Sequence, residues 1–82
     1  MVRKYEPGPG GPLEMFVVYD HPRDYPAHFV VRRWVIGERK FSPTTDFAIA
    51  DTLEAARAEL PPGLHRVPRQ RGEDPVIAET WA

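Results

Sequence analysis

Residues 13–37 read LEMFVVYDHPRDYPAHFVVRRWVIG, and the reading of this stretch decides the fold. Two apolar runs, Leu13 to Tyr19 and Phe29 to Ile36, flank a polar connector that contains Pro22 and Pro26. Both runs are rich in β-branched and aromatic side chains, which suit a pleated, half-buried surface. Alternation along the first puts Leu13, Met15, Val17 and Tyr19 on one face and Glu14, Phe16, Val18 and Asp20 on the other. Along the second, Phe29, Val31, Arg33 and Val35 oppose Val30, Arg32, Trp34 and Ile36. Neither run carries a helical stripe, and the prolines between them break any continuous helix. Two strands are expected, with apolar residues on both faces, in a sheet covered at least partly on both sides. The connector from Asp20 to His28 suits an antiparallel pair but is too long for a two-residue turn. Its prolines bias His21 and Tyr25 toward extended conformations. A stiff, polar loop between buried strands is a common seat of function.

Working outward, residues 1–12 (MVRKYEPGPGGP) are too rich in glycine and proline to offset their chain entropy by burial, and are expected to form a flexible leader ahead of a single domain at 13–82. Gly37 to Lys40 has turn character, and Phe41 to Thr45 reads as irregular chain. Asp46 to Ala50 alternates as a short third strand. Asp51-Thr52-Leu53-Glu54 has the form of a capping box, with Asp51 as the N-cap and Glu54 reaching back. The helix it opens continues through strong helix formers to Leu60, with Leu53, Ala56 and Leu60 on one narrow apolar face, and Pro61-Pro62-Gly63 stops it. Two or three turns are unstable alone, so this face must pack on the sheet. Leu64 to Val67 and Val76 to Trp81, the latter opened by Pro75, read as two further strands. The expected fold is α+β: a mainly antiparallel sheet of four or five strands with one short helix on one face, in the order β-β-β-α-β-β.

The segments Tyr19-Asp20-His21-Pro22, Tyr25-Pro26, Phe29-Val30-Val31-Arg32-Arg33-Trp34, Asp51-Thr52-Leu53-Glu54 and Leu60-Pro61-Pro62-Gly63-Leu64 together resemble a family of small uncharacterised bacterial and prophage-encoded proteins. The resemblance covers most of Leu13 to Trp81. It implies no activity and no functional residue, so function is argued from the residues alone.

Eighty-two residues form one domain, and a domain of this size buries only about 60% of its unfolded surface, which makes a partner valuable. There is no cysteine, hence no disulfide or thiolate metal site. No apolar stretch has the length of a membrane span and no signal-peptide core follows Met1, so a soluble, cytoplasmic protein with no membrane partner is expected. The formal net charge of −1 gives no global attraction to nucleic acid. The basic residues are nine arginines and two lysines, a bias toward planar, bidentate contacts.

Asp20, His21, Asp24 and His28 offer four ligand atoms within nine positions, but their spacing matches no standard metal motif, and no metal or cofactor is expected. Asp20 and His21 are adjacent and should point to opposite faces, which makes them poor partners for each other; Asp24 or a group on another strand is the alternative partner for His21. Ser42, Thr44 and Thr45 lack an elbow motif, and Gly8, Gly10 and Gly11 precede the first strand instead of following it, so neither a nucleophile nor a phosphate cradle is indicated. No catalytic residue is assigned. Arg32 and Arg33 should face opposite ways, one pairing across the sheet with Asp20 or Glu79 and the other exposed.

One helix cannot shield two apolar faces. The leading expectation is therefore a non-enzymatic protein–protein module, self-associating or docking an unknown protein, with a binding surface drawn from Tyr19, His21, Arg32, Arg33, Trp34, Ile36, Ile77 and Trp81. The alternatives are a nucleic-acid binder using Arg32, Arg33, Arg66, Arg69 and Arg71 with stacking on Trp34 or Tyr19, and a small enzyme or ligand-binding protein centred on the Asp20–His28 loop.

Overall fold

The computed structural model describes residues 13–37 and 41–82. The expected leader, 1–12, and most of the Gly37–Lys40 turn lie outside the described residues. Five strands and one helix follow one another as β1 (Leu13–Asp20), β2 (Phe29–Ile36), β3 (Phe41–Ala50), α1 (Leu53–Ala58), β4 (Arg66–Val67) and β5 (Ile77–Trp81). They form one antiparallel sheet in the order β3-β2-β1-β5-β4, so the two strands of the deciding stretch lie inside the sheet. The α+β architecture expected from the pattern is the one observed.

Register fixes which residues share a face. Phe16, Val18 and Asp20 stand opposite Arg33, Val31 and Phe29, and Val31 and Phe29 in turn meet Ala48 and Ala50. This is the face that α1 covers. Its core is Phe16, Val18, Val31, Ala48, Ala50 and Ala56, with Phe29, Leu53, Leu60, Leu64 and Trp81 packed around it. The three alanines matter because their small side chains let a six-residue helix approach β2 and β3 closely. Such a helix does not hold in isolation; burial of Ala56 and Leu53 on the sheet does the stabilising.

Three expectations are corrected. The N-cap is Thr52, extended at φ −133° and ψ 160°, whose hydroxyl accepts from the Ala55 amide at 3.0 Å. Asp51 and Thr52 are both good caps; the helix starts one residue later than the capping-box spacing implies, and Asp51 contacts His28, Oδ1 to Nδ1 at 3.1 Å. Phe41–Thr45 is strand, not irregular chain: β3 runs ten residues. Arg32 meets Phe47 while Trp34 meets Pro43, so three residues, Thr44 to Asp46, stand opposite Arg33 alone. This bulge scrambles the period-two pattern that a strand otherwise shows. Finally, Asp20 and His21 do pair, Nδ1 to Oδ1. His21 adopts φ 51°, a left-handed conformation that ends the alternation of β1 and turns the ring back toward Asp20.

The later elements are shorter than the pattern suggested. β4 proper is only Arg66–Val67, although His65 and Ala82 exchange both backbone hydrogen bonds just beyond it. β5 starts at Ile77; a register shift between Val18 and Tyr19 leaves Ala78 unmatched within it, and the Val76 carbonyl just ahead of the strand accepts from the Asp20 amide at 2.7 Å.

Candidate functional site

The face opposite α1 is built from four cross-strand rows. Leu13, Ile36 and Phe41 form the first, Met15, Trp34 and Pro43 the second, Val17, Arg32 and Phe47 the third, and Tyr19, Val30 and Ile49 the fourth. Arg32 is the one charged side chain among these twelve.

The connector closes over the fourth row. Its chain makes two successive turns, with the Tyr25 amide donating to the Pro22 carbonyl at 2.9 Å and the His28 amide to the Tyr25 carbonyl at 3.1 Å, and the His21 amide returns to the His28 carbonyl at 3.0 Å. Tyr25 is thereby carried over the sheet, its ring 5.9 Å from that of Phe47. Val17 and Val30 are buried beneath. Between connector and sheet lies a cleft of about 320 Å³ walled by Tyr19, Pro22, Tyr25, Val30, Trp34 and Pro43, with Arg32 and Asp24 as its charged groups.

The Trp34 indole donates to the Tyr19 hydroxyl at 3.1 Å. That leaves the Tyr19 proton available to a further acceptor. Burial pushes the Tyr19 hydroxyl above its ordinary pKa, and Asp74 adds to this; the Trp34 hydrogen bond and Arg32 pull the other way without reversing it. The phenol therefore stays a donor across the neutral range. Arg32 lies 4.9 Å from the Phe47 ring centroid and donates through one terminal nitrogen to the Thr44 carbonyl at 2.6 Å. Among the described residues no carboxylate stands within ion-pair distance of it.

The other residues expected to form one surface are divided between the two faces. Arg33 lies on the helix-covered side, held by Asp46 at 2.8 and 3.0 Å and by Glu14 at 3.2 Å. Its partners are thus neither Asp20 nor Glu79, the carboxylates expected. Trp81 is also on that side, packed on the core and donating its indole N–H to Glu79 at 3.0 Å. Arg57 Nε donates to both Glu79 oxygens at 3.0 and 3.1 Å, and Arg66 stands 3.6 Å away. These contacts hold the Glu79 carboxyl below the usual carboxylate range despite its burial. His21 stands clear of the cleft, its ring edge-on to Phe29 at 4.9 Å. Tyr19, Arg32, Trp34 and Ile36 do share a face, and Ile77 joins them as the partner of Tyr19. Of the arginines, Arg69 reaches the Ile77 carbonyl and lies 3.6 Å from Glu73. No three His, Asp or Glu residues converge as a metal site among the described residues, and none of the described helices is long and apolar enough to cross a membrane.

Sequence reasoning missed Asp24, Tyr25, Phe47, Leu13 and Phe41 as contributors to this face. Leu13 was within reach, since it opens the apolar alternation of the first run; Phe41 was not, because the residues after it carry no alternation, and Tyr25 and Phe47 meet only through the fold of the connector.

No protein-family model, no curated protein and no solved structure matches this chain.

Proposed function

We propose that this protein is a non-enzymatic association module that pairs with a second copy of itself through the end of the open face marked by Leu13, Ile36 and Phe41. The observation that carries this reading is the exposure of that row: Leu13 is 71% and Phe41 59% exposed, and they flank Ile36 on adjacent strands. A large apolar row presented by three neighbouring strands is costly to leave in water, at about 25 cal/mol for each Å². Its own character favours a second copy. A two-fold contact sets a patch against itself, and this row contains no charge that such a contact would bury against its like. Met15 and Trp34, in the next row, supply an adjoining apolar wall.

Nucleic-acid binding has weaker support. Arg32 and Arg33 lie on opposite faces, and Arg33, Arg66 and Arg69 stand beside Glu14, Asp46, Glu79 and Glu73, which cancels the continuous positive surface that a phosphate backbone requires.

Sedimentation equilibrium up to high micromolar concentration tests the association. A dimer that Leu13→Asp combined with Phe41→Asp converts to monomer, with the thermal transition little changed, is the expected result. A wild-type protein that stays monomeric throughout the range removes the proposal.

A further inference from the structure

The far end of the open face differs from the end assigned to self-association. It is concave, and it contains an arginine, Arg32, that no carboxylate among the described residues pairs with. We propose that the cleft beneath the connector binds an aromatic monocarboxylate, with the Arg32 guanidinium on the carboxylate and the ring held between Trp34 and Tyr25.

Four observations converge. The volume, about 320 Å³, falls at the small end of ligand-sized pockets. The walls are flat: Trp34, Tyr25, Tyr19 and the rings of Pro22 and Pro43 favour a planar apolar body over a branched one. Arg32 uses one nitrogen on the Thr44 carbonyl and stacks on Phe47, which fixes the plane of its fork. No buried side-chain nitrogen or oxygen among the described residues lacks a hydrogen-bond partner, so the remaining guanidinium N–H groups face accessible space, and Arg32 lines the cleft. A planar fork with its orientation set matches a carboxylate in two-point contact.

The Tyr19 hydroxyl, already accepting from Trp34, supplies a second donor in the same cleft. Asp24, exposed on the connector, places one negative charge among the lining residues. That charge argues against dianions and polyphosphates, for which a single arginine is in any case too little. A monoanion whose remaining bulk is apolar and flat satisfies all of these groups together. The chemistry has two sources, a free aromatic acid or the C-terminal aromatic residue of a peptide.

The two tryptophans of the chain provide the test, because they sit on opposite faces of the sheet. In a ¹⁵N–¹H spectrum of the full chain, indole-3-propionate should move the Trp34 indole resonance saturably and leave that of Trp81 in place. Its carboxamide should bind about tenfold more weakly or worse, given the strength of charged hydrogen bonds. Arg32→Met should abolish the difference between acid and amide. Because Arg32 also ties the Thr44 segment, a second measurement uses wild-type protein alone: raising salt to about 0.5 M should weaken the acid and not the amide. A short peptide ending in tryptophan distinguishes the sources. If it binds at least as well as the free acid, a peptide C-terminus is the ligand; if only the free acid binds, a small molecule is. Equal affinity for acid and amide, no saturable shift, or equal movement of both indoles overturns the proposal, and none of these outcomes bears on the sedimentation result.

Discussion

The two faces of this sheet are made from the same strands and differ in how their polar groups are met. On the helix-covered face every arginine among the strands has a carboxylate: Arg33 has Glu14 and Asp46, and the buried Glu79 takes Arg57, Arg66 and the Trp81 indole. Its apolar residues are graded in size, with large Phe16 against small Ala48, Ala50 and Ala56, as close packing requires. On the open face the rings are large, and among the described residues three large apolar side chains (Leu13, Phe41 and Ile49) are exposed and Arg32 meets only a carbonyl and a π-face. A surface that serves the fold alone resolves its charges and covers its rings. The contrast supports the proposal that places association and ligand binding on the open face and not on the better-packed one.

Four measurements would sharpen or break this contrast, in order of expected effect on stability. Phe16→Ala removes a fully buried ring and should lower the unfolding free energy by about 3–5 kcal/mol in urea titrations. Glu79→Gln should cost about 2 kcal/mol at neutral pH, since hydrogen bonds to a charged group are lost while two arginines remain in water-accessible positions. That cost should depend on pH. Glu79 is held below its ordinary value in the folded state, so its contribution is complete above the unfolded carboxylate pKa and disappears as pH falls through the lower, folded one. Glu14 acts in the opposite sense, because burial raises it in spite of Arg33. The gap between wild type and Glu79→Gln isolates the first effect: it should close in acid, and a gap that stays constant breaks the account.

Thr52→Ala should cost about 1 kcal/mol through loss of the cap, whereas Asp51→Ala should cost less, a comparison that assigns the N-cap directly. Smallest is Phe41→Ala, expected within about 0.5 kcal/mol for the monomer although it deletes the same side chain as Phe16→Ala. If the two phenylalanine truncations cost alike, the faces are not the different surfaces described.

How much of this was legible depended on sequence distance. The faces of β1 and β2, the position of the helix and the opposed directions of Arg32 and Arg33 follow from local periodicity, and the structure reproduces them. The first half of β3 did not read as strand because Pro43, two threonines and a three-against-one bulge remove the alternation. The bulge is itself stitched by both arginines from opposite sides, Arg32 on the Thr44 carbonyl and Arg33 on Asp46, while the Thr44 hydroxyl donates to the Arg33 carbonyl at 2.8 Å. These contacts span 11 to 13 positions, and that of Arg57 with Glu79 spans 22, so no local pattern announces them. The left-handed turn at His21 was hidden for another reason: few non-glycine residues adopt it, and a following proline argues for the opposite.

The bulge has a further consequence. β3 is the longest strand and lies at the border of the sheet, which ordinarily invites strand-by-strand growth into fibrils. Here its regular backbone is cut into Phe41–Pro43 and Phe47–Ala50, and Pro43 has no N–H to offer a newcomer. The opposite border, β4, is two residues long. Neither margin offers a long regular edge for an endless ribbon, although the sheet leaves oily side chains in water on its open side.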